Sequence, residues 1–123
     1  MEDTTATIST LDGSTRLLKA FADPVRLRLL NLLGGTGEVC VCHLHGALGL
    51  PQPTVSRHLA CLRKHKLVFG RKAGLWVHYR LASPASGLHR TLIRSLGQGL
   101  GDPDVFRLDR ERLARLVDCC GSP

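Results

Sequence analysis

The sequence predicts one mainly α-helical domain that carries a single β-hairpin. Apolar residues recur at spacings of three and four in several segments, which is the period of an amphipathic helix. The segment Leu67–Leu81 instead alternates with a period of two and is rich in aromatic and β-branched residues, as paired strands are. With 123 residues, 43% of them hydrophobic, the chain is long enough to form one packed core.

The N-terminal part predicts a polar segment followed by two helices. Residues 1–8 are polar and threonine-rich, and we expect them to be disordered. Apolar residues at helical spacing over residues 9–22 predict a first amphipathic helix. Asp23 and Pro24 then predict the start of a second helix over residues 25–33, because Asp caps helix N-termini and Pro fits the first turn. A glycine-rich segment ends this helix.

The middle of the chain predicts two short helices followed directly by the hairpin. The first helix covers residues 41–48 and ends at Gly49, and the second covers residues 54–65. The second helix has an apolar stripe on one side and basic residues off it, so its polar face is exposed. Two helices joined by a tight glycine-containing turn form a helix-turn-helix, and a hairpin after it is a wing. The predicted fold class is therefore a mainly α winged helix-turn-helix.

Two further helices and a short tail complete the predicted domain. Apolar residues at helical spacing predict a helix over residues 85–100 and a last helix that follows Pro103 and runs to Cys119. We expect residues 9–118 to form a single domain. Residues 119–123 are expected to form a tail that contains two adjacent cysteines.

The composition limits the classes of function. The formal net charge of +7 and the isoelectric point near 9.7 suggest an anionic partner, either nucleic acid or a membrane surface. No apolar stretch has the length of a membrane span and no secretory signal is visible, so we expect a cytoplasmic protein without a membrane partner. Five cysteines, an odd number, fit a reducing compartment. No catalytic triad, phosphate-binding glycine loop or carboxylate pair is found, so neither an enzyme nor an obligatory cofactor is expected.

The second short helix and the hairpin tip carry side chains that suit DNA. Residues at the N-terminus of a recognition helix reach base edges in the major groove. Gln and Arg make bidentate hydrogen bonds to adenine and guanine, and hydroxyl groups bond to bases or phosphates. Basic residues at a hairpin tip suit the DNA backbone beside the helix. The predicted DNA contacts are Gln52, Thr54, Ser56, Arg57 and His58 on the helix and Arg71 and Lys72 at the hairpin tip.

Three separated motifs resemble the ArsR/SmtB family of metal-sensing repressors, and most of all its arsenic-responsive branch. The motifs are Glu38–Cys42, Leu50–Ala60 and Arg71–Leu81. The resemblance implies a homodimer that binds a palindromic operator in double-stranded DNA and leaves it on binding an inducer. In this family the dimer interface usually comes from the first helix and a late one, which here are residues 9–22 and 85–100.

Cys40 and Cys42 are the predicted sensor and lie at the start of the first short helix. Thiolates select soft ions, and trivalent arsenic and antimony, the predicted inducers, typically take three sulfurs. In a regular helix, residues i and i+2 point about 200° apart, so both sulfurs reach one ion only if the helix start unwinds or bends. Such a distortion is expected to lower the affinity for DNA. Cys61 is expected to pack in the core and His89 to lie at the surface.

The third ligand of the ion is left open by the sequence. The arsenic-responsive branch commonly has Cys-x-Cys-x-x-Cys, whereas this chain has His45 at the third position. Cys40 and Cys42 with a small external thiol or water are one option, and a zinc site that includes His43 and His45 is another. The adjacent pair Cys119 and Cys120 is a further source of thiolates. Alternative inducers are cadmium, lead or zinc, and a different alternative is a thiol-redox switch.

Overall fold

The computed structural model describes the backbone of residues 2–98, 100 and 103–120 and the side chains of residues 11–98, 100 and 104–117. In this part of the chain, the elements in order are α1 (Glu2–Phe21), α2 (Pro24–Gly35), β1 (Val39–Cys40), α3 (Val41–Leu48), α4 (Gln52–Lys64), β2 (Val68–Ala73), β3 (Trp76–Leu81), α5 (Gly87–Gly97) and α6 (Pro103–Cys120). The predicted mainly α fold with a β-hairpin is confirmed. Among the described helices, none is long and apolar enough to span a lipid bilayer.

Some helix boundaries differ from those that the sequence predicts. α1 begins at Glu2, so residues 2–8 of the segment predicted to be disordered are helical, and Met1 lies outside the described residues. Residues 2–8 contain neither Gly nor Pro, so no residue in this segment interrupts a helix. α6 ends at Cys120, so the backbone of both adjacent cysteines belongs to this helix and not to a tail. Residues 121–123 lie outside the described residues.

α2 is the central helix of the domain. Asp23 caps its N-terminus, as predicted, by accepting hydrogen bonds from the backbone amides of Val25 and Arg26 at 2.9 and 3.1 Å. All residues from Leu29 to Leu33 are buried. Because successive residues of a helix point about 100° apart, this unbroken run means that α2 is covered on every side. α4, α5, α6 and β3 pack around it.

A buried ion pair joins α2, α3 and α6. The Arg28 guanidinium donates two hydrogen bonds of 2.8 Å to the carboxylate of Asp109 and one of 3.3 Å to the backbone oxygen of Leu48, at the end of α3. The side chain of Asp109 is 1% exposed. Hydrogen bonding to Asp109 raises the pKa of Arg28 above its usual value. The pair is needed because an unpartnered buried carboxylate is strongly destabilising.

The wing is a three-stranded antiparallel sheet in the order β1-β3-β2. β2 and β3 are joined by a two-residue turn in which Gly74 has a φ of 64°, a conformation that glycine adopts without strain. The short strand β1 is not predicted from the sequence, and it pairs Val39 with Tyr79 and Cys40 with His78. Because α3 follows β1 without a break, the wing and the helix-turn-helix are joined at Cys40.

His89 on α5 is buried, which corrects the expectation that it lies at the surface. Its Nδ1 accepts a hydrogen bond of 3.2 Å from the backbone amide of Ala85, so the neutral ring carries its proton on Nε2. Nε2 is buried and has no hydrogen-bond partner among the described residues. The ring packs edge-on against Phe21, with 6.5 Å between the ring centroids. Burial lowers the pKa of His89, so α1 and α5 enclose a neutral imidazole.

We expect Asp109→Asn to lower the free energy of unfolding by roughly 2–3 kcal/mol, because it leaves the Arg28 guanidinium without its carboxylate. The loss is smaller than for a fully buried pair, since the Arg28 side chain is 23% exposed. Urea unfolding followed by circular dichroism measures it. Asp104→Asn is the matched control and should leave stability nearly unchanged, because Asp104 is an exposed carboxylate of the same helix, 3.5 Å from Arg107. Equal losses in both variants would contradict a structural role for the buried pair.

We expect His89 to make the protein less stable in acid. Because burial lowers its pKa below the ordinary value of 6.5, the unfolded chain binds the proton more readily than the folded chain. Its contribution to stability is therefore present above pH 6.5 and is lost as the pH falls through the lowered pKa. His89→Gln removes this contribution, so its free energy of unfolding should fall less than that of the wild type between about pH 7.5 and about pH 5. Identical pH dependence in the two proteins, measured by urea unfolding, would count against this role.

Candidate thiolate site and DNA interface

Cys40 and Cys42 bring their sulfur atoms together at the start of α3. Cys40 is the last residue of β1 and the N-cap of α3, and its backbone is extended, with φ −68° and ψ 142°. Its Sγ lies 2.8 Å from the Sγ of Cys42 and 3.4 Å from the backbone nitrogen of Cys42. Cys40 is buried and Cys42 is half-buried. The two predicted ligands therefore lie side by side.

This geometry corrects the expectation that α3 must unwind before both sulfurs reach one ion. The expectation placed both cysteines in a regular helix, where they point about 200° apart. Pairing of β1 with β3 keeps Cys40 out of the helix, and its extended backbone turns its side chain toward that of Cys42. Zinc–sulfur bonds are about 2.3 Å long, so two thiolates on one such ion would lie roughly 3.5 Å apart, which is less than about 1 Å more than the separation in this structure.

The histidines of α3 do not complete a metal site with the two cysteines. His43 is buried, and Nδ1 of His45 lies 3.2 Å from the backbone oxygen of Leu50, within hydrogen-bonding distance. Across the described side chains, no group of three His, Cys, Asp or Glu residues is placed to hold one ion. The zinc site that the sequence leaves open through His45 is therefore not assembled within this part of the chain.

The C-terminal helix packs closely on the helix that carries Cys42. Leu116 of α6 approaches Gly46 of α3 so closely that a Cβ at position 46 would lie 2.9 Å from Cδ1 of Leu116. Gly46 follows Cys42 by about one helical turn, and Cys119 and Cys120 follow Leu116 by the same distance along α6. The side chains of Cys119 and Cys120 lie outside the described residues. The α3–α6 contact therefore links the helix of Cys42 with the helix of the C-terminal pair.

An ion pair ties the wing to the segment that precedes Cys40. The carboxylate of Glu38 accepts hydrogen bonds from Nε of Arg71 at 2.9 and 3.1 Å and from Nη2 of Arg71 at 2.5 Å. This hydrogen bonding holds the pKa of Glu38 below its usual value. Arg71 and Lys72 stand within β2 and not in the hairpin turn, where the sequence places them. The partnership of Glu38 with Arg71 was not predicted, because opposite charge alone does not identify a partner 33 residues away.

α4 turns its apolar stripe inward and most of its polar residues outward. Its buried residues are Val55, Leu59 and Leu62, which confirms the predicted stripe. Gln52 and Arg57 are exposed, and Thr54 and Ser56 are half-buried. Lys72, on β2 of the wing, is also exposed. These five predicted DNA contacts are all accessible from outside the chain.

His58 is placed differently from the other predicted DNA contacts. Its Nδ1 lies 3.4 Å from Nη1 of Arg26 and 3.7 Å from Oδ2 of Asp23, at the start of α2. The side chain is only 16% exposed. We interpret this ring as a contact that fixes α4 on α2, and we leave it out of the DNA interface.

Residues 23–68 match the profile of a family described as bacterial regulatory protein, arsR family. Over 67 residues, the chain is 52% identical to the arsenical resistance operon repressor of Escherichia coli (strain K12). The match covers 54% of this chain and 57% of that protein. The chain thus spans little more than half the length of this relative.

Two solved structures extend the likeness to the fold. Mb0332 from Mycobacterium bovis is described as a homodimeric winged helix-turn-helix DNA-binding domain and a possible ArsR-family transcriptional regulator. Its TM-score is 0.63 at 30% identity, and the match covers 80% of this chain and 84% of that chain. The AntR antimony-specific transcriptional repressor has a TM-score of 0.57 at 33% identity, with 68% of this chain and 70% of that chain covered.

The family match agrees with the fold. The winged helix-turn-helix that the sequence predicts is confirmed by the structure and by its neighbours. Regulators of this kind are not enzymes, which confirms the expectation drawn from the missing catalytic motifs. On its sequence and its fold, the chain belongs to the arsR family of bacterial regulatory proteins.

Proposed function

We propose that the chain is a transcriptional repressor that binds a palindromic DNA operator as a homodimer and leaves it when Cys40 and Cys42 bind trivalent arsenic or antimony. The observation that carries the proposal is the pair of sulfur atoms, 2.8 Å apart, at the junction of the wing and α3. An ion held there contacts the end of β1, in the sheet of the wing, and α3, which packs on α4. The proposed site of action is the cytoplasm, where DNA and reduced thiols occur together.

The DNA-binding part of the proposal rests on the accessible residues of α4 and the wing. The proposed contacts are Gln52, Thr54, Ser56 and Arg57 on α4 and Arg71 and Lys72 on the wing. The first group stands in the N-terminal half of α4, the part of a recognition helix that meets base edges. The second group suits phosphates beside the groove. A net charge of +7 adds a long-range attraction to DNA.

The homodimer is supported by the apolar surface of α1. This helix packs on α2 within the chain and leaves Leu11 73% and Leu18 48% exposed. Apolar side chains in such a position are stabilised by burial against a second copy. A two-fold dimer also presents two α4 helices to the two half-sites of a palindrome. The homodimeric description of Mb0332 supports the same assembly, for which we propose α1 and α5 as the interface.

Capture of arsenite by the pair is a ligand exchange without electron transfer. Each thiol proton leaves with one hydroxide of arsenous acid as water, and an arsenic–sulfur bond replaces an arsenic–oxygen bond. Two thiols therefore release two waters and leave one hydroxide on arsenic, which a third thiol replaces in the same way. A thiolate sulfur is a soft ligand and prefers this soft ion to hard ions. The descriptions of two similar proteins, an arsenical and an antimony-specific repressor, support these inducers over cadmium, lead or zinc.

The proposed third ligand is the thiolate of Cys119 or Cys120 and not the imidazole of His45. Nδ1 of His45 lies within hydrogen-bonding distance of the backbone oxygen of Leu50, and imidazole suits trivalent arsenic less well than thiolate. The packing of α6 on α3 connects the helix of the adjacent cysteines with the helix of the sensor. A small external thiol or water is the competing source of the third ligand.

We expect arsenite to release the operator only while Cys40 and Cys42 are intact. Fluorescence anisotropy of a labelled palindromic duplex, taken from upstream of the chain's own gene, measures the binding of the full chain. Arsenite should lower the affinity of the wild type by about tenfold or more, whereas Cys40→Ser/Cys42→Ser should stay bound. Cys61→Ser is the matched control, because it removes a half-buried thiol of α4 whose neighbour is His65. It should respond as the wild type does.

The other outcomes of the same titration separate the alternatives. Cys119→Ser/Cys120→Ser should lose most of the arsenite response, and an unaltered response would assign the third ligand to an external thiol or water. Loss of the response in His45→Ala would restore that residue as a ligand. Release by zinc or cadmium alone would change the inducer, and release by peroxide without an ion would indicate a thiol-redox switch. Tight operator binding that none of these ions and no peroxide releases would contradict the sensing of an inducer. The absence of operator binding would contradict the repressor function.

We expect Arg57→Gln to weaken operator binding by roughly 10- to 100-fold and to reduce the preference for operator over unrelated DNA, because a bidentate contact to guanine is lost. The same anisotropy measurement, with competitor duplex, checks both effects. Arg107→Gln removes an exposed charge from α6, where Arg107 pairs with Glu111 at 2.8 Å, and should leave binding unchanged. Equal effects of the two substitutions would show that Arg57 acts only through net charge.

A further inference from the structure

We propose that Glu38 is a positioning residue for Arg71, and that the two side chains form a latch between the cysteine pair and the wing. In the free chain, Glu38 holds Arg71; on the operator, Arg71 exchanges this carboxylate for a DNA phosphate. An ion bound to Cys40 keeps the latch closed and thereby opposes DNA binding. The inference rests on the proposed function and describes how the same site is regulated.

The contact between Glu38 and Arg71 is well formed and yet replaceable. Nε and Nη2 of Arg71 both donate to the carboxylate, which is the bidentate geometry in which arginine also binds phosphate. The side chains of Arg71 and Glu38 are 59% and 29% exposed, so a DNA phosphate can reach them. Because exposed ion pairs add little net stability, a phosphate with the same geometry competes with the carboxylate.

The latch adjoins the thiolate site both along the chain and across the sheet. Glu38 precedes Cys40 by two residues. In the sheet, Cys40 pairs with His78 of β3, and His78 pairs on its other side with Arg71 of β2. Paired residues of neighbouring strands point to the same face, so these three form one row across the sheet. A constraint on Cys40 therefore acts on Glu38 through the chain and on Arg71 through the sheet.

The short edge strand makes this row responsive to an ion. β1 has two residues and lies at the edge of the sheet, so few backbone hydrogen bonds fix it. An ion bonded to both Cys40 and Cys42 ties the end of β1 to α3 and keeps Glu38 beside Arg71. Arg71 must then break its contact with a carboxylate that is held in place before it can bind DNA. In the ion-free chain, β1 can move, so this contact breaks more easily. Because this coupling is reciprocal, operator DNA lowers the affinity for the ion by the same factor by which the ion lowers the affinity for DNA.

Glu38→Gln tests the latch, because it keeps the size of the side chain and removes the charge that holds Arg71. Without arsenite, operator affinity should rise about three- to tenfold, and the arsenite-induced loss of affinity should shrink by a similar factor. Anisotropy of the labelled operator measures both. The ultraviolet absorbance of sulfur–arsenic bonds in DNA-free protein should show that arsenite still binds, with an affinity lowered by no more than that factor. Glu111→Gln is the matched control, since it removes a carboxylate from the exposed pair with Arg107 on α6, and should alter neither quantity.

A double-mutant cycle with Arg71→Gln separates the latch from a general effect of charge. Arg71→Gln itself should weaken binding and reduce its salt dependence by about one phosphate contact. If Glu38 acts through Arg71, Glu38→Gln raises affinity in the wild type and has no effect in the Arg71→Gln background. Equal effects in both backgrounds, or a wild-type arsenite response in Glu38→Gln, overturn the latch and leave the proposed function standing. A wild-type chain that arsenite fails to release overturns the proposed function and the latch together.

Discussion

The extended backbone of Cys40 is the constraint on which the arrangement of this domain depends. The residue ends the strand that completes the sheet of the wing, and it caps the helix that packs on α4. In a helical conformation, its sulfur would point away from that of Cys42, and β1 would lose its pairing with His78. The contact between the sulfurs, the attachment of the wing and the start of α3 therefore depend on the same pair of torsion angles.

The opposite end of α3 is held by a different interaction. Arg28 binds the backbone oxygen of Leu48 while it pairs with Asp109, so the end of α3 is fixed to α2 and α6 at once. A displacement imposed at the start of α3 is therefore resisted at its end. The cysteine pair is also connected to the wing through the two-residue edge strand β1, which is less constrained than the end of α3. The proposed latch at Glu38 acts through this strand.

Helices and hairpin could be predicted because their signals are local. Apolar spacing marks α2 and α4, and Asp23 and Gly49 mark a start and an end within a few residues of the pattern. β1 has no such signal, because two residues define no period and its partner strand lies far along the chain. The expectation about the sulfur atoms was wrong for this reason, since without β1 nothing removes Cys40 from the helix.

The directions of polar side chains depend on tertiary contacts that a linear pattern does not contain. His58 stands beside the apolar stripe of α4 by its spacing, and its ring contacts Asp23 and Arg26. His89 is a polar residue on an amphipathic helix, yet its ring packs on Phe21. For His89, the predicted exposure followed from residue type, whereas its observed position follows from a neighbouring helix.

The placement of the sulfur pair at a strand–helix junction has a consequence for how the proposed sensor can diversify. Cys40 and Cys42 hold their contact without any contribution from His45, whose Nδ1 lies 3.2 Å from the backbone oxygen of Leu50. The choice of third ligand is therefore separable from the scaffold. Under the proposed function, a lineage can acquire a new chemical preference by exchanging a residue that supplies the third ligand, while the proposed DNA contacts on α4 are inherited unchanged.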